Sequence, residues 1–189
     1  MMRPQLYLAS RSPRRQELLR QVGLRFEVAP ADVDESRAPG QSPAEYAVAM
    51  ALAKARAAPA AGEAPVLGAD TDVVLNDRIL GKPAGREQAL EMLRRLAHRT
   101  HQVYSGVAVV LGERVETALS VTDVTFGPVT AAQADAYWNT GEPADKAGAY
   151  AIQGFGAQFV KEIRGSYSGV VGLPLYETLE VLRRFGVSR

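Results

Sequence analysis

Two clusters of polar residues in this chain have the types and spacing that phosphate chemistry needs. The first is Ser10-Arg11-Ser12-Pro13-Arg14-Arg15, which follows a short apolar run and opens a helix-forming segment. Proline at the first helical position loses no needed N–H, and Ser12 before it suits an N-cap. The helix N-terminus created there gathers free backbone N–H groups and the positive end of the helix dipole, which together attract anions. Ser10 and Ser12 add hydroxyls, and Arg14 and Arg15 add planar forks that match phosphate oxygens. Read alone, the segment favours an ordinary capped helix with solvated arginines, and the motifs further along overturn that reading. The second cluster is Gly68-Ala69-Asp70-Thr71-Asp72, a polar interruption between the apolar residues 66–67 and 73–75. Asp70 stands at what reads as a strand end, where α/β proteins present site residues. A carboxylate there can activate a water or hold a divalent cation, although Asp70 and Asp72 also suit a turn that closes the strand.

Other residues join these by type rather than by neighbourhood. Lys82 sits in Leu80-Gly81-Lys82-Pro83, flanked by residues that fix a loop. Lys54 lies among alanines on a helix, where a solvated lysine is the ordinary expectation. Gln153 precedes Gly154-Phe155-Gly156, at the expected end of a strand and before a tight turn. Its amide offers a donor and an acceptor side by side, as reading a pyrimidine edge requires, and a structural hydrogen bond is the alternative. Gly154-Phe155-Gly156 lacks the spacing of a dinucleotide fingerprint, and no Walker-type loop is present. His98 and His101 have no acidic partner or third ligand at zinc-site spacing, and the presence of only two histidines argues against a triad hydrolase.

The elements that must position these groups alternate between strand and helix. Residues 6–9 read as a strand, 13–22 as a helix with Leu18, Leu19 and Val22 on one face, and 26–29 as a second strand. Ser42-Pro43-Ala44-Glu45 is a capping box that starts an alanine-rich helix to about residue 58. Residues 59–65 form a loop. A strand over 66–75, interrupted at 68–72, turns back at Asn76-Asp77 toward Ile79-Leu80. A helix over 85–97 turns Ala89, Leu90, Leu93 and Leu96 inward. Residues 101–111 and 115–126 pair as a long hairpin, and Thr130 caps a helix to about residue 139. Residues 149–152 and 159–163 read as a second hairpin across Gly154-Phe155-Gly156. Pro174 opens a last helix that Gly186 stops. Two hairpins in the second half predict a mixed α/β sheet instead of a doubly wound parallel one.

Composition narrows the possible partners. At 189 residues the chain suits one domain, and 47% hydrophobic content fills a sizeable core. Lys plus Arg total 22 against 21 Asp plus Glu, a net charge of +1. No nucleic-acid or membrane surface follows from that balance, so any phosphate chemistry must come from a local basic cluster. Cysteine is absent, which excludes disulfides and thiol catalysis and fits a reducing compartment. No apolar run approaches a signal peptide or a membrane span, so a cytoplasmic location is expected.

Taken together, the motifs resemble the Maf family of nucleoside triphosphate pyrophosphatases along nearly the whole chain. The matching blocks are Leu8-Ala9-Ser10 through Arg15, Gly68 to Thr71, Lys82-Pro83, Asp145 to Gly154, and Gly165 to Tyr167 with Val170 to Pro174. The resemblance implies a single Maf/ITPase-like domain over 1–189, with a mixed elongated sheet, flanking helices and two lobes around a nucleotide-binding cleft. It implies hydrolysis of a nucleoside triphosphate to the monophosphate and pyrophosphate, with Mg²⁺ or Mn²⁺, and a homodimer. By position it makes Asp70 the base that activates water. It assigns Ser10, Arg15, Lys54 and Lys82 to the triphosphate and Glu35, less closely matched, to the metal. Asp72 departs from the apolar residue often found there; it either faces solvent or adds a second metal carboxylate.

Three positions separate the branches of that family. Arg14, Thr71 and Gln153 match the branch that resembles dTTP/UTP pyrophosphatases, where the 7-methyl-GTP branch has Trp, Gln and Glu. A cationic methylated guanine suits a tryptophan face and a carboxylate, whereas the N3–H and carbonyls of thymine or uracil suit an amide and an arginine. The resemblance therefore implies dTTP and UTP, and modified pyrimidine triphosphates, in house-cleaning of nucleotide pools. The 7-methyl-GTP specificity and a non-enzymatic nucleotide-binding regulator of septum formation remain as alternatives.

Overall fold

The computed structural model describes residues 4–59 and 64–188. Residues 60–63 of the expected 59–65 loop lie outside the described residues. The sheet comprises β1 (Leu6–Leu8), β2 (Phe26–Val28), β3 (Val66–Leu75), β4 (Arg78–Leu80), β5 (Thr100–Leu111), β6 (Arg114–Phe126) and β7 (Val160–Arg164). Their order is β2-β1-β3-β5-β6-β7, with β4 also on β3. β1 is parallel to both β2 and β3, and the remaining pairs are antiparallel. The sheet is thus mixed α/β, as the sequence predicts.

Its helices start where side chains can cap them. α1 (Pro13–Gln21) begins at Ser12, whose hydroxyl accepts from the Arg15 N–H. α2 (Pro43–Ala57) carries the predicted capping box, Ser42 with Glu45. α3 (Arg86–Leu96) follows, then α4 (Ala131–Trp138), which has a second box between Thr130 and Gln133. α5 (Tyr167–Val171) and α6 (Leu175–Arg184) close the chain, α6 starting after Pro174. In α3 the inward positions are Ala89, Met92, Leu93 and Leu96, while Leu90, expected inward, is only partly buried.

The two sheet faces are packed differently, and the difference places the chemistry. One face holds the main core, in which Leu6, Leu8, Leu67 and Val107 meet Leu19 of α1, Leu93 of α3 and Leu182 of α6. The other is covered by α2, whose alanines form a tight seam with Ala9, Val66 and Ala108. Gly68 and Gly106 permit that seam. A Cβ on Gly68 would lie 2.0 Å from the Ala51 carbonyl oxygen, and one on Gly106 would lie 2.5 Å from that of Ala47. The helix backbone therefore rides directly on β3 and β5.

Two expectations about strands are overturned. β3 runs unbroken from Val66 to Leu75, so Gly68–Asp72 is strand and not an interruption, and Asp70 lies mid-strand. β5 pairs along it from Val66 to Val74, which gives those polar residues a full ladder on one side. The second hairpin does not form. Residues 147–149 and 155–159 are short 3₁₀ turns, Gln153 stands in the turn between them, and β7 pairs with β6 instead. No helix of the described residues is long and apolar enough to cross a membrane.

Candidate active site

β3 has a partly open edge, and the site is built on it. On the side away from β5, β1 pairs only with Val66 and Leu67, and β4 only from Val73 onward. Among the described residues, no strand pairs with Gly68–Asp72 on that side. Side chains alternate along a strand, so Asp70 and Asp72 project toward the α2 face and Thr71 toward the other. A cleft of ≈ 680 Å³ opens there, bounded by the β1–α1 turn, the Gly81-Lys82 loop and the Asp145–Gln153 segment. Every sequence-predicted site residue lines this cleft: Ser10, Arg14, Arg15, Glu35, Lys54, Asp70, Thr71, Lys82 and Gln153.

On the α2 face the carboxylates gather around one lysine. Lys54 Nζ lies 2.6 Å from Asp70 Oδ1 and 3.0 Å from Glu35 Oε1. The Lys54 side chain is only 14% exposed, which corrects the expectation of a solvated lysine. The close α2 seam carries its ammonium down to the strand. Lys54 also holds the Glu35 carboxyl below its usual range, while the Tyr46 hydroxyl donates to the Glu35 carbonyl at 2.7 Å and fixes that loop. Asp72 is buried beside them, and its Oδ2 has no hydrogen-bond partner. Burial first, and then the charge of Asp70, push the Asp72 carboxyl up to about 8.

On the opposite face Arg15 is the organiser. Its Nε donates to the Gly172 carbonyl at 2.8 Å, Nη1 to Ser10 Oγ at 3.2 Å and Nη2 to Thr71 Oγ1 at 3.3 Å. Thr71 in turn donates to Gly172 O at 3.3 Å, and Ser105 donates to Gly169 O at 2.6 Å. Three distant motif blocks are thereby tied into one wall. Burial lowers the Arg15 guanidinium, and the charge of Asp70 opposes that shift. Arg14 borders the cleft near Asp145, Lys82 is exposed on its rim, and Gln153 is exposed in its turn. The Gly148 N–H donates to Gly81 O at 3.1 Å and so joins the Lys82 loop to the Asp145–Gln153 segment.

Sequence reasoning missed Tyr46, Ser105 and the partner of Lys54, and left Asp72 undecided. The alternation of Asp70 and Asp72 about Thr71 was a usable signal, since it places both carboxylates on one strand face. Nothing local signalled Tyr46 or Ser105, whose partners are the Glu35 carbonyl across the loop before α2 and the Gly169 carbonyl far along the chain.

The oxygen donors suit a hard divalent cation. No group of three or more His, Cys, Asp or Glu side chains with metal-holding geometry occurs among the described residues. Asp70 and the unpartnered, buried Asp72 oxygen nevertheless share a face, with Glu35 linked to Asp70 through Lys54. Mg²⁺ is commonly held by one or two carboxylates and completed by substrate phosphates and waters, so a partial protein site fits it.

Comparison with known proteins agrees with this architecture. The family model described as Maf-like protein matches residues 5–185. A dTTP/UTP pyrophosphatase of Pseudoalteromonas atlantica is 48% identical, covering 97% of this chain and 98% of its own length. One of Saccharophagus degradans is 51% identical, with 96% and 89% covered, and one of Escherichia coli O157:H7 is also 51% identical, with 97% and 94% covered. Among solved structures, the Ham1 protein of Staphylococcus aureus aligns over 95% of this chain and 96% of its own, with TM-score 0.53 and 16% identity. That likeness concerns the fold alone.

Proposed function

The chain belongs to the Maf family, and from that membership we propose that it hydrolyses dTTP and UTP to the monophosphate and pyrophosphate. One observation carries the reading. The open edge of β3 sets Asp70, tied to Lys54 at 2.6 Å, against Arg15, which is tied to Thr71 and Gly172 on the other face. A base and a cationic cradle thus flank one strand edge, which is what in-line attack at an α-phosphorus requires. The names of relatives about half identical over nearly their whole length support the substrate.

In this reading a water gives its proton to Asp70 as its oxygen bonds to the α-phosphorus. The bond from that phosphorus to the oxygen bridging the β-phosphorus breaks, and pyrophosphate leaves with the electron pair. Arg15, Lys82 and the Ser10 hydroxyl oppose the charge that grows on the leaving group. Lys54 orients the Asp70 carboxylate. Glu35 and the unpartnered Asp72 oxygen are the residues that would hold Mg²⁺ or Mn²⁺, and such an ion would supply charge neutralisation at the triphosphate.

Arg14, Thr71 and Gln153 select the base. A glutamine amide accepts from the N3–H of thymine or uracil and donates to a ring carbonyl, whereas cytosine is met only by the amide turned end for end. A cytoplasmic homodimer that clears modified pyrimidine triphosphates completes the reading, supported by the family resemblance and by the absence of cysteine. Pyrophosphate release across dTTP, UTP, CTP, GTP and 7-methyl-GTP, with Mg²⁺ or Mn²⁺, tests it. The reading expects dTTP and UTP to rank first, and a panel led by 7-methyl-GTP would replace it with the sister specificity.

A further inference from the structure

Gly154-Phe155-Gly156 matches no phosphate-binding motif by its spacing, yet the structure builds an anion receptor there and fills it from within the chain. Glu142 Oε2 accepts from the Phe155 N–H at 2.9 Å, and Glu142 Oε1 accepts from the Gly156 N–H at 3.0 Å. Successive amides converging on one carboxylate form an anion-binding nest. The Tyr137 hydroxyl donates to Glu142 Oε1 at 2.5 Å and accepts from the Ala151 N–H at 3.1 Å. A Cβ on Gly154 would lie 2.0 Å from Glu142 Oε2, so a side chain there would push this carboxylate off its amides. Thr140 anchors the far end, accepting from the Glu142 N–H at 3.2 Å and donating to Tyr137 O at 2.7 Å.

The clamped amides bracket Gln153, with Ala151 before it and Phe155 and Gly156 after it. We propose that Glu142, clamped by Tyr137, is a positioning residue for base selectivity, holding the Gln153 turn so that its amide meets the pyrimidine edge. The inference rests on the reading that Gln153 meets the base. Gln153 is exposed and lines the cleft, so its own side chain contributes little to fixing its backbone. The fixing comes from behind, through three backbone N–H groups held by two side chains that do not line the cleft. A hydrogen bond that reads a base works only within a few tenths of an ångström and a narrow angle, so loosening this support degrades selectivity before it degrades phosphate chemistry.

Glu142→Gln is the direct test, because it keeps the volume but turns one oxygen into an N–H₂ group facing an amide donor. Tyr137→Phe removes only the hydroxyl link, and Gln153→Ala serves as the reference. kcat and KM are measured for the full-length proteins on dTTP, UTP and CTP, with hydrogen exchange followed at the Phe155 and Gly156 amides. The expected result is faster exchange at those amides and a loss of about tenfold in preference for dTTP and UTP over CTP in Glu142→Gln, carried by KM. Tyr137→Phe shifts the preference less and in the same direction, which keeps the test open if Glu142→Gln fails to fold. The double variant Glu142→Gln/Gln153→Ala selects no worse than Gln153→Ala alone, because the two act through one contact. An equal drop on all three substrates, or an unchanged ratio of kcat/KM for dTTP and UTP over CTP, overturns the inference while the Gln153 reading stands. An unchanged ratio in Gln153→Ala itself removes the reading beneath it, and the inference falls with it.

Discussion

Lys54 Nζ meets Asp70 Oδ1 at 2.6 Å, with both side chains largely withdrawn from solvent at 14% and 13% exposure. The pair joins a helix to a strand across the Gly68 seam, and it lies in the cleft that every expected site residue lines. An ammonium at this place both orients the carboxylate and offsets the crowding of Asp70, Asp72 and Glu35.

Removing one partner of such a pair is therefore costly. Lys54→Met should lower stability by about 3 kcal/mol, the low end for a buried pair because this one opens on a cleft. Adding Asp70→Asn should recover much of the loss, since the stranded carboxylate is then neutral. Urea denaturation of the four proteins in the cycle measures the coupling, and strictly additive losses would mean the pair does not interact.

Catalysis should follow Asp70 itself. Asp70→Asn keeps the size and a hydrogen-bond acceptor for Lys54, and should reduce turnover by about a hundredfold or more while nucleotide binding persists. Circular dichroism and nucleotide titration check the fold and the binding. Turnover near that of the unmutated protein would remove Asp70 from the mechanism.

Arg15 should not tolerate lysine. Its fork reaches Ser10, Thr71 and Gly172 at once, and an ammonium cannot reproduce that planar arrangement. Arg15→Lys should weaken kcat/KM by about 1.5–3 kcal/mol, the range for hydrogen bonds to charged groups. Steady-state kinetics with dTTP decide it, and a value unchanged from the parent would show the fork to be dispensable.

Stability should fall on mild acidification because of His101. That ring is buried between Phe126 and Tyr150, its Nε2 lies 2.7 Å from the Tyr150 hydroxyl, and its Nδ1 has no partner. Burial lowers its pKa to about 4, below the ordinary 6.5. The unfolded chain thus takes up a proton first, and the stability tied to neutral His101 is full above about pH 6.5 and lost as pH falls toward about 4. His101→Phe should flatten the thermal melting profile between those values, and an unchanged slope would assign it to other groups.

Much of this was legible in the sequence, for reasons that differ by residue. Ser12-Pro13 and Ser42-Pro43-Ala44-Glu45 mark helix starts through contacts three residues long, and the structure shows both caps. The continuity of β3 was not legible, because Gly68–Asp72 is polar for the sake of an edge left open by β1 and β4, a tertiary fact. Residues 149–152 alternate like a strand, but Tyr137 and Glu142 take the nearby amides, and β7 pairs with β6. Lys54 looked solvated among its alanines because local sequence cannot show that the helix lies on a glycine. Gln153 stood out by type, and its support from Glu142 depends on a fold in space that no spacing announces.

The central claim is attack of water at the α-phosphorus of a pyrimidine triphosphate with Asp70 as base. Hydrolysis of dTTP in ¹⁸O-labelled water, with products separated by mass spectrometry, tests it most directly. The account predicts dTMP and pyrophosphate, with one ¹⁸O in dTMP and none in pyrophosphate, and loss of both products in Asp70→Asn. Label in pyrophosphate, or release of dTDP and inorganic phosphate, would contradict it.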